Sequence, residues 1–301
     1  MIRPYVWMLS GCFWFSLMAL LAKAAGAECD WRLVMLARSG LVTAFALVAA
    51  GAVGARLAFV RPGALWLRSV AGSLSMLATF YALTRPDFPV SNTLTLTNTF
   101  PIWVALLAWP MTGERPTAGV WGAVVCSVAG VAVSQWRADD GFPPAAWASV
   151  AASVFTAVAM LGLNRLKGVS SLGVVVHFSA VATAFATATF AVPGAVDEVM
   201  RDAHVGAVPV LFGVGATATV GQVFLTLAFR AGSPTRVAVV GLSQVVMVMA
   251  MEAALGAKAF DLRTLVGTAL VLGPTAWLMV REKRPPPPAD GDAAVEEVAI
   301  E

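Results

Sequence analysis

The sequence predicts an all-α integral membrane protein: ten transmembrane helices arranged as two inverted five-helix repeats. Three observations carry this. The 301 residues are 59% hydrophobic and only 12% charged, with a mean hydropathy of +0.80. Apolar stretches of about 20 residues, the length needed to cross roughly 30 Å of hydrocarbon, recur along the chain. Finally, the second half repeats the layout of the first.

The ten stretches are 5–25, 32–54, 64–84, 88–110, 117–136, 145–163, 172–192, 206–229, 235–256 and 262–280. Charges, prolines or glycines bound each one, as in Glu28-Cys29-Asp30, Arg61-Pro62-Gly63 and Asp139-Asp140-Gly141. Helix is the form that suits them, because backbone polar groups in lipid must pair within the segment and the alternation of a membrane barrel is missing. Arg68 and several glycines dilute the third and eighth stretches. Arg3 followed by an apolar run resembles a signal peptide, but the run is long and aromatic-rich, and the repeat needs it as a span.

Such a composition excludes an ordinary cytosolic enzyme or a secreted binding module, which carry about twice this share of charge. Three cysteines without a C-x-x-C unit, and two histidines, offer neither a metal site nor a disulfide framework. A net charge of +3 with dispersed basic residues gives no footprint for nucleic acid. The sequence lacks a phosphate-binding G-x-x-x-x-G-K-[ST] loop, a nucleophile elbow and a paired catalytic carboxylate motif, so it calls for no cofactor and no enzymatic activity.

Lysine and arginine counted in alternate loops and at the adjoining span ends give twelve on the side that carries Arg3, Arg68, Arg115 and Arg281, and seven on the other. The richer side is expected to be cytoplasmic, which puts both termini in the cytoplasm of an inner-membrane protein. The expected division is a first repeat over 1–140, a second over 141–284 and a tail over 285–301. That tail opens with four prolines, lacks the apolar content to pack, and is expected to be solvated and disordered.

The repeat has an offset of about 145 residues. Thr99-Phe100-Pro101-Ile102-Trp103, Gly113-Glu114-Arg115 and Trp121-Gly122-Ala123 are answered by Leu242-Ser243-Gln244-Val245-Val246, Gly256-Ala257-Lys258 and Val266-Gly267-Thr268. Five spans per half turn the second half over in the bilayer, a plan that puts a solute site near the midplane between halves. On Tyr81-Ala82-Leu83, Pro101, Gly113-Glu114-Arg115 and Trp121-Gly122-Ala123, the chain resembles the EamA-domain family of the drug/metabolite transporter superfamily over residues 5 to 281. The second half departs from the family pattern, with Ser243-Gln244 in place of Glu-Pro and Gly256-Ala257-Lys258 in place of Gly-Glu-Arg. The resemblance implies a secondary transporter of small organic metabolites such as amino acids, amines or drug-like solutes, working as an exporter or exchanger by alternating access. The alternative is a membrane partner subunit or membrane enzyme that transports nothing. A monomer or homodimer, with proton or solute coupling, fits the plan.

Polar groups inside spans are costly and mark candidate solute contacts. Ser91, Thr95 and Asn98 share one face of the fourth span, with Asn92 beside them. Their side chains either line the solute path or bond back to their own helix and glue neighbours together. Ser243 and Gln244 stand at the corresponding level of the ninth span, and Gln222 lies among glycines on the eighth. Trp14, Tyr81 and Trp103 suit an apolar cage or an interfacial belt. Two charges complete the set. Glu252 is either a protonatable coupling group or an interface residue. Arg38 is an anion contact, the salt-bridge partner of Glu252, or a snorkelling side chain.

Overall fold

The computed structural model describes residues 3–55, 57, 62–100, 102–103, 106–107, 118–135, 142–163, 166, 169–202, 204–231, 240–256 and 262–281. Among them every regular element is helical. In chain order these are α1 (Arg3–Ala25), α2 (Trp31–Ala52), α3 (Gly63–Leu83), α4 (Val90–Thr97), α5 (Ala118–Gln135) and α6 (Pro144–Leu163). Next come α7 (Ser171–Ala188), α8 (Ala195–Asp202), α9 (Val208–Ala231), α10 (Ser243–Ala254) and α11 (Leu262–Arg281). The tail over 285–301, Pro101 and the Gly113-Glu114-Arg115 turn lie outside the described residues.

Among the described residues five helical stretches are long and apolar enough to cross a membrane: α1, α2, α6, Ser171–Ala191 and Val208–Ala228. Ten are expected from the sequence, and α3, α4 and α10 fall short for visible reasons. Arg68 and three serines lower the hydropathy of α3, although it has 21 residues. The expected fourth and ninth spans are broken. α4 has only 8 residues and gives way to a turn at Asn98 and Thr99, while α10 starts after a break at Leu242 and has 12. α8 has no counterpart among the expected elements. It is a short helix that buries Ala195 and Val199 and leaves Val196 and Met200 exposed.

Helix ends follow local chemistry. Asp30 caps α2 by accepting from Arg32 N at 2.8 Å, and Ser170 caps α7 by accepting from Gly173 N at 3.0 Å. α2 stops at Gly54, whose φ of 63° is the left-handed region open to glycine, and Ala55 N–H then reaches back to Ala50 O at 2.9 Å.

The core lies where the two halves of the chain meet. α1 packs on α9, α3 on α6, and α2 on α7; α2 also touches α9, and α3 touches α7. Outside this group α1 meets α10, α6 meets α4, α4 meets α10, and α5 packs on α11. Small residues permit the closest crossings. A methyl on Gly11 would rest 3.4 Å from Gly221 O, and one on Gly221 would lie 3.0 Å from the Phe15 ring, so α1 and α9 nearly touch by backbone. Across α3 and α6, Ser75 Oγ donates to Ala152 O at 2.9 Å and meets Thr156 Oγ1 at 2.7 Å. Gly122 and Cys126 on α5, with Gly273, Pro274 and Trp277 on α11, instead line an open apolar groove of about 400 Å³.

At one end of the bundle, α1 runs into a tight turn beside the chain leaving α3. A methyl on Gly26 would strike the Thr84 backbone. Lys23 Nζ donates to the carbonyls of Arg85, Pro86 and Phe88, the last at 2.7 Å. Arg32 joins Asp30 at 3.4 Å and Glu198 of α8 at 3.1 Å. These segments frame a polar crevice of about 310 Å³ that includes Glu28, Cys29, Arg85, Arg201 and His204. Burial, and then the charges of Asp30 and Glu28, push the Cys29 thiol up to about 11.

Gly26→Ala therefore forces this turn and the end of α3 apart. It is expected to cost about 1–3 kcal/mol and lower the unfolding midpoint of the detergent-solubilised protein by several degrees. Cys29 holds its proton at pH 8, since its thiolate forms only near pH 11. Its maleimide labelling should be roughly two orders of magnitude slower than that of a free thiol and should accelerate as pH rises toward 11. Equal rates at pH 8, read by mass spectrometry of the Cys29 peptide, contradict the buried, anion-flanked thiol.

Candidate functional site

Four residues fix the centre of the candidate site: Pro89, Val90 and Ser91 at the start of α4, and Glu252 on α10. A helix leaves its first N–H groups without intrahelical partners, and Pro89 at the N-cap has no side-chain oxygen to offer them. Glu252 supplies the acceptors. Its Oε1 accepts from Val90 N at 2.9 Å and its Oε2 from Ser91 N at 3.3 Å. The residue is 5% exposed, so both contacts are shielded from water. A negative carboxylate also suits the positive end of the helix. Lys23 at the end of α1 interacts electrostatically with Glu252 and with Asp87 of the loop before α4.

α4 sorts its polar residues into two sets. Thr93, Thr97 and Thr99 donate to Pro89 O, Thr93 O and Leu96 O of their own segment. Asn98 does the same, with Nδ2 on Leu94 O at 2.8 Å, and so closes the end of the helix. By contrast the hydroxyls of Ser91 and Thr95, one turn apart, are buried and have no hydrogen-bond partner among the described residues. Asn92 is buried and bonded. Of the face read from the sequence, Ser91 and Thr95 thus keep free capacity, and Asn98 is spent on its own backbone.

Opposite α4, Ser243 opens α10 and its hydroxyl sits against the Cys12 thiol of α1 without an oxygen or nitrogen partner. Gln244 O accepts from Ser16 Oγ of α1 at 3.3 Å. The turns at Asn98–Thr99 and at Leu242 lie close to the sequence offset of about 145 residues, and α4 touches α10. Gln222 is buried on α9 next to Gly221, at the close crossing with α1.

The aromatic candidates do not gather into one cage. Tyr81 stands at the end of α3, edge-on to Trp31 at 5.9 Å and under the Arg85 guanidinium at 4.1 Å. Trp14 lies midway along α1, edge-on to Phe13 at 5.7 Å, and Trp103 is half-buried beyond the α4 break.

Arg38 does not meet Glu252. Its Nη1 points to Met76 Sδ at 2.8 Å, and its guanidinium lies 5.8 Å from the Phe178 ring. Arg68 of α3 approaches that same ring at 4.4 Å. By sequence Arg68 counts with the loop cations, yet it is the fifth residue of the apolar stretch 64–84, which is the signal for a buried role. His177 beside Phe178 makes a helix contact, with Nδ1 2.7 Å from Ser69 Oγ and its ring edge-on to Trp66 at 4.7 Å.

Comparison with known proteins gives the following. No family model matches the chain, so the likeness to EamA-domain proteins rests on its sequence motifs. The chain is 28% identical over 229 residues to a pseudopaline exporter, CntI, of Pseudomonas aeruginosa PAO1, covering 75% of this chain and 78% of the relative. It is also 28% identical over 233 residues to the protein of the same name from a second strain of that organism, UCBPP-PA14. A solved crystal structure shares the fold with a TM-score of 0.64 at 18% identity, covering 93% of this chain and 99% of the other. Apolar helices of membrane-crossing length and exporter relatives together place the chain with membrane transporters rather than with enzymes.

Proposed function

We propose that this protein is an inner-membrane exporter of small organic metabolites, a secondary transporter built on the EamA plan of two inverted five-helix halves. Residues 1–140 form one half and 141–284 the other, with both termini in the cytoplasm. The packing supports this division. Exchanging α1 with α6, α2 with α7, α3 with α9, α4 with α10 and α5 with α11 turns each principal helix contact into another one or into itself. For example, α1 on α9 becomes α6 on α3, and α1 on α10 becomes α6 on α4. The exporter relatives support the direction of transport.

The single observation that carries the solute path is the contact between the two short helices α4 and α10, each next to a turn, with the Ser91 and Thr95 hydroxyls buried without a partner among the described residues and the Ser243 hydroxyl against the Cys12 thiol. Discontinuous helices in corresponding places of two halves are where transporters of this plan hold their solute. Irregular backbone at that depth is tolerated where it lines a cavity or is buried in protein. Ser91, Thr95 and Ser243 offer hydroxyls, and Asn92, Gln222 and Gln244 add amides to the same uncharged set.

Glu252 couples transport to protons in this scheme. As a carboxylate it holds two N–H groups of α4; once protonated it is a weaker acceptor, and the start of α4 is released. Each such charge-assisted bond contributes about 1.5–3 kcal/mol, enough in sum to shift a two-state gate.

Reconstituted protein should release a metabolite extract from loaded liposomes, and mass spectrometry would identify what leaves. Ser91→Ala combined with Thr95→Val should reduce flux at least tenfold with membrane yield unchanged; unchanged flux removes α4 from the path. Glu252→Gln should keep solute exchange at equilibrium but abolish uphill export driven by a pH gradient. Persistence of gradient-driven export in that variant rules out the coupling role.

A further inference from the structure

We infer that Arg38 and Arg68, both held beside the Phe178 ring where α2, α3 and α7 meet, form a carboxylate-binding site, so that the exported solute is an organic acid or zwitterion.

Each arginine is 5% exposed. The Nε of both is buried without an acceptor, and Arg38 Nη1 has only a thioether sulfur, a weak partner. Neither forms an ion pair among the described residues, where Arg32 with Asp30 and Glu198 makes the recorded ones. Glu252, the carboxylate within the helical core, is already committed to Val90 and Ser91. Two like charges therefore lie beside one aromatic ring, with no counter-charge among the described residues. Burying one unpaired cation is costly, and a second makes both worse. Cation–π contact with one phenyl ring offsets only part of that cost.

The fold also makes room for the arrangement. A methyl on Gly72 would strike Arg68 Nη1 and the Phe178 ring, so the guanidinium occupies the space that a side chain there would fill. Backbone atoms of Arg68 lie 3.1 Å from where a methyl on Gly162 of α6 would stand, which fixes the root of the side chain. A planar guanidinium with unspent N–H groups is the natural partner of a carboxylate, through paired parallel hydrogen bonds. Phosphate shares this chemistry, and the test separates the two.

The class of solute rests on the transport reading above; the binding site does not. The full-length protein in detergent would be assayed for thermal stabilisation by glutamate, citrate, inorganic phosphate and chloride at matched ionic strength. Citrate and glutamate should raise the midpoint by several degrees over chloride, with phosphate weaker. Arg38→Lys and Arg68→Lys keep the charge but lose the fork, and should weaken the apparent carboxylate affinity at least tenfold. Replacing both by Met relieves the unpaired charge, so its midpoint without ligand should equal or exceed that of the native protein while the carboxylate response vanishes. The inference is overturned if no carboxylate stabilises the native protein beyond chloride, if phosphate acts more strongly than the carboxylates, if the lysine variants respond like the native protein, or if the double Met variant is less stable. Liposome flux separates the two claims. Export without an arginine-dependent carboxylate response ends this inference and leaves transport standing, whereas the response without export of any solute does the reverse.

Discussion

The grip of Glu252 on the first N–H groups of α4 is the contact on which the rest of the arrangement depends. A helix of 8 residues, opened by proline and closed by a turn, has little stability of its own. Its leading donors face a neighbouring helix rather than water, and each would be expensive to leave unpaired. One carboxylate from α10 satisfies two of them. The same contact ties the two interrupted helices together. Lys23, reaching from α1 to the carbonyls just before α4, secures the other side of the junction. Pro89 thus sits between two charged anchors of opposite sign, one on the loop carbonyls and one on the helix donors.

Much of the architecture was legible in the sequence because lipid allows few solutions. Runs of apolar residues bounded by charges and glycines become helices whose ends agree within a few residues: 64–84 against Gly63–Leu83, 117–136 against Ala118–Gln135, 262–280 against Leu262–Arg281. Composition alone was less informative where a helix is interrupted. Over 88–110 the run is apolar enough on average, yet threonines and asparagine bond their own carbonyls and the segment turns at Asn98. α8 was missed because eight residues with charges at four positions give no apolar run, only two buried contacts.

The candidate site was legible by type and not by pairing. Ser91, Thr95, Ser243 and Glu252 could be singled out because polar groups in apolar stretches are costly. Which donor meets which acceptor depends on contacts between residues more than a hundred positions apart. Glu252 with Val90 is one such contact, and Arg38 with Phe178 another. Position in the chain also misled for Arg68. Counted with the cytoplasmic cations, it lies inside α3 and turns its guanidinium toward the core.

The two polar centres differ in a way that bears on function. At α4 and α10 the charge is answered: Glu252 has its donors, and what remains free is neutral hydroxyl. At α2, α3 and α7 the charge is unanswered among the described residues, and the surrounding partners are sulfur and an aromatic ring. A core selected for stability alone would replace such cations with methionine or leucine, since well-packed apolar groups in place of buried ions are often neutral or stabilising. Their retention is what a binding site requires, because a group fully satisfied in the empty protein has nothing left to give a ligand. Loading an anionic solute would also supply the missing counter-charge, so the occupied core would lose the repulsion that strains the empty one.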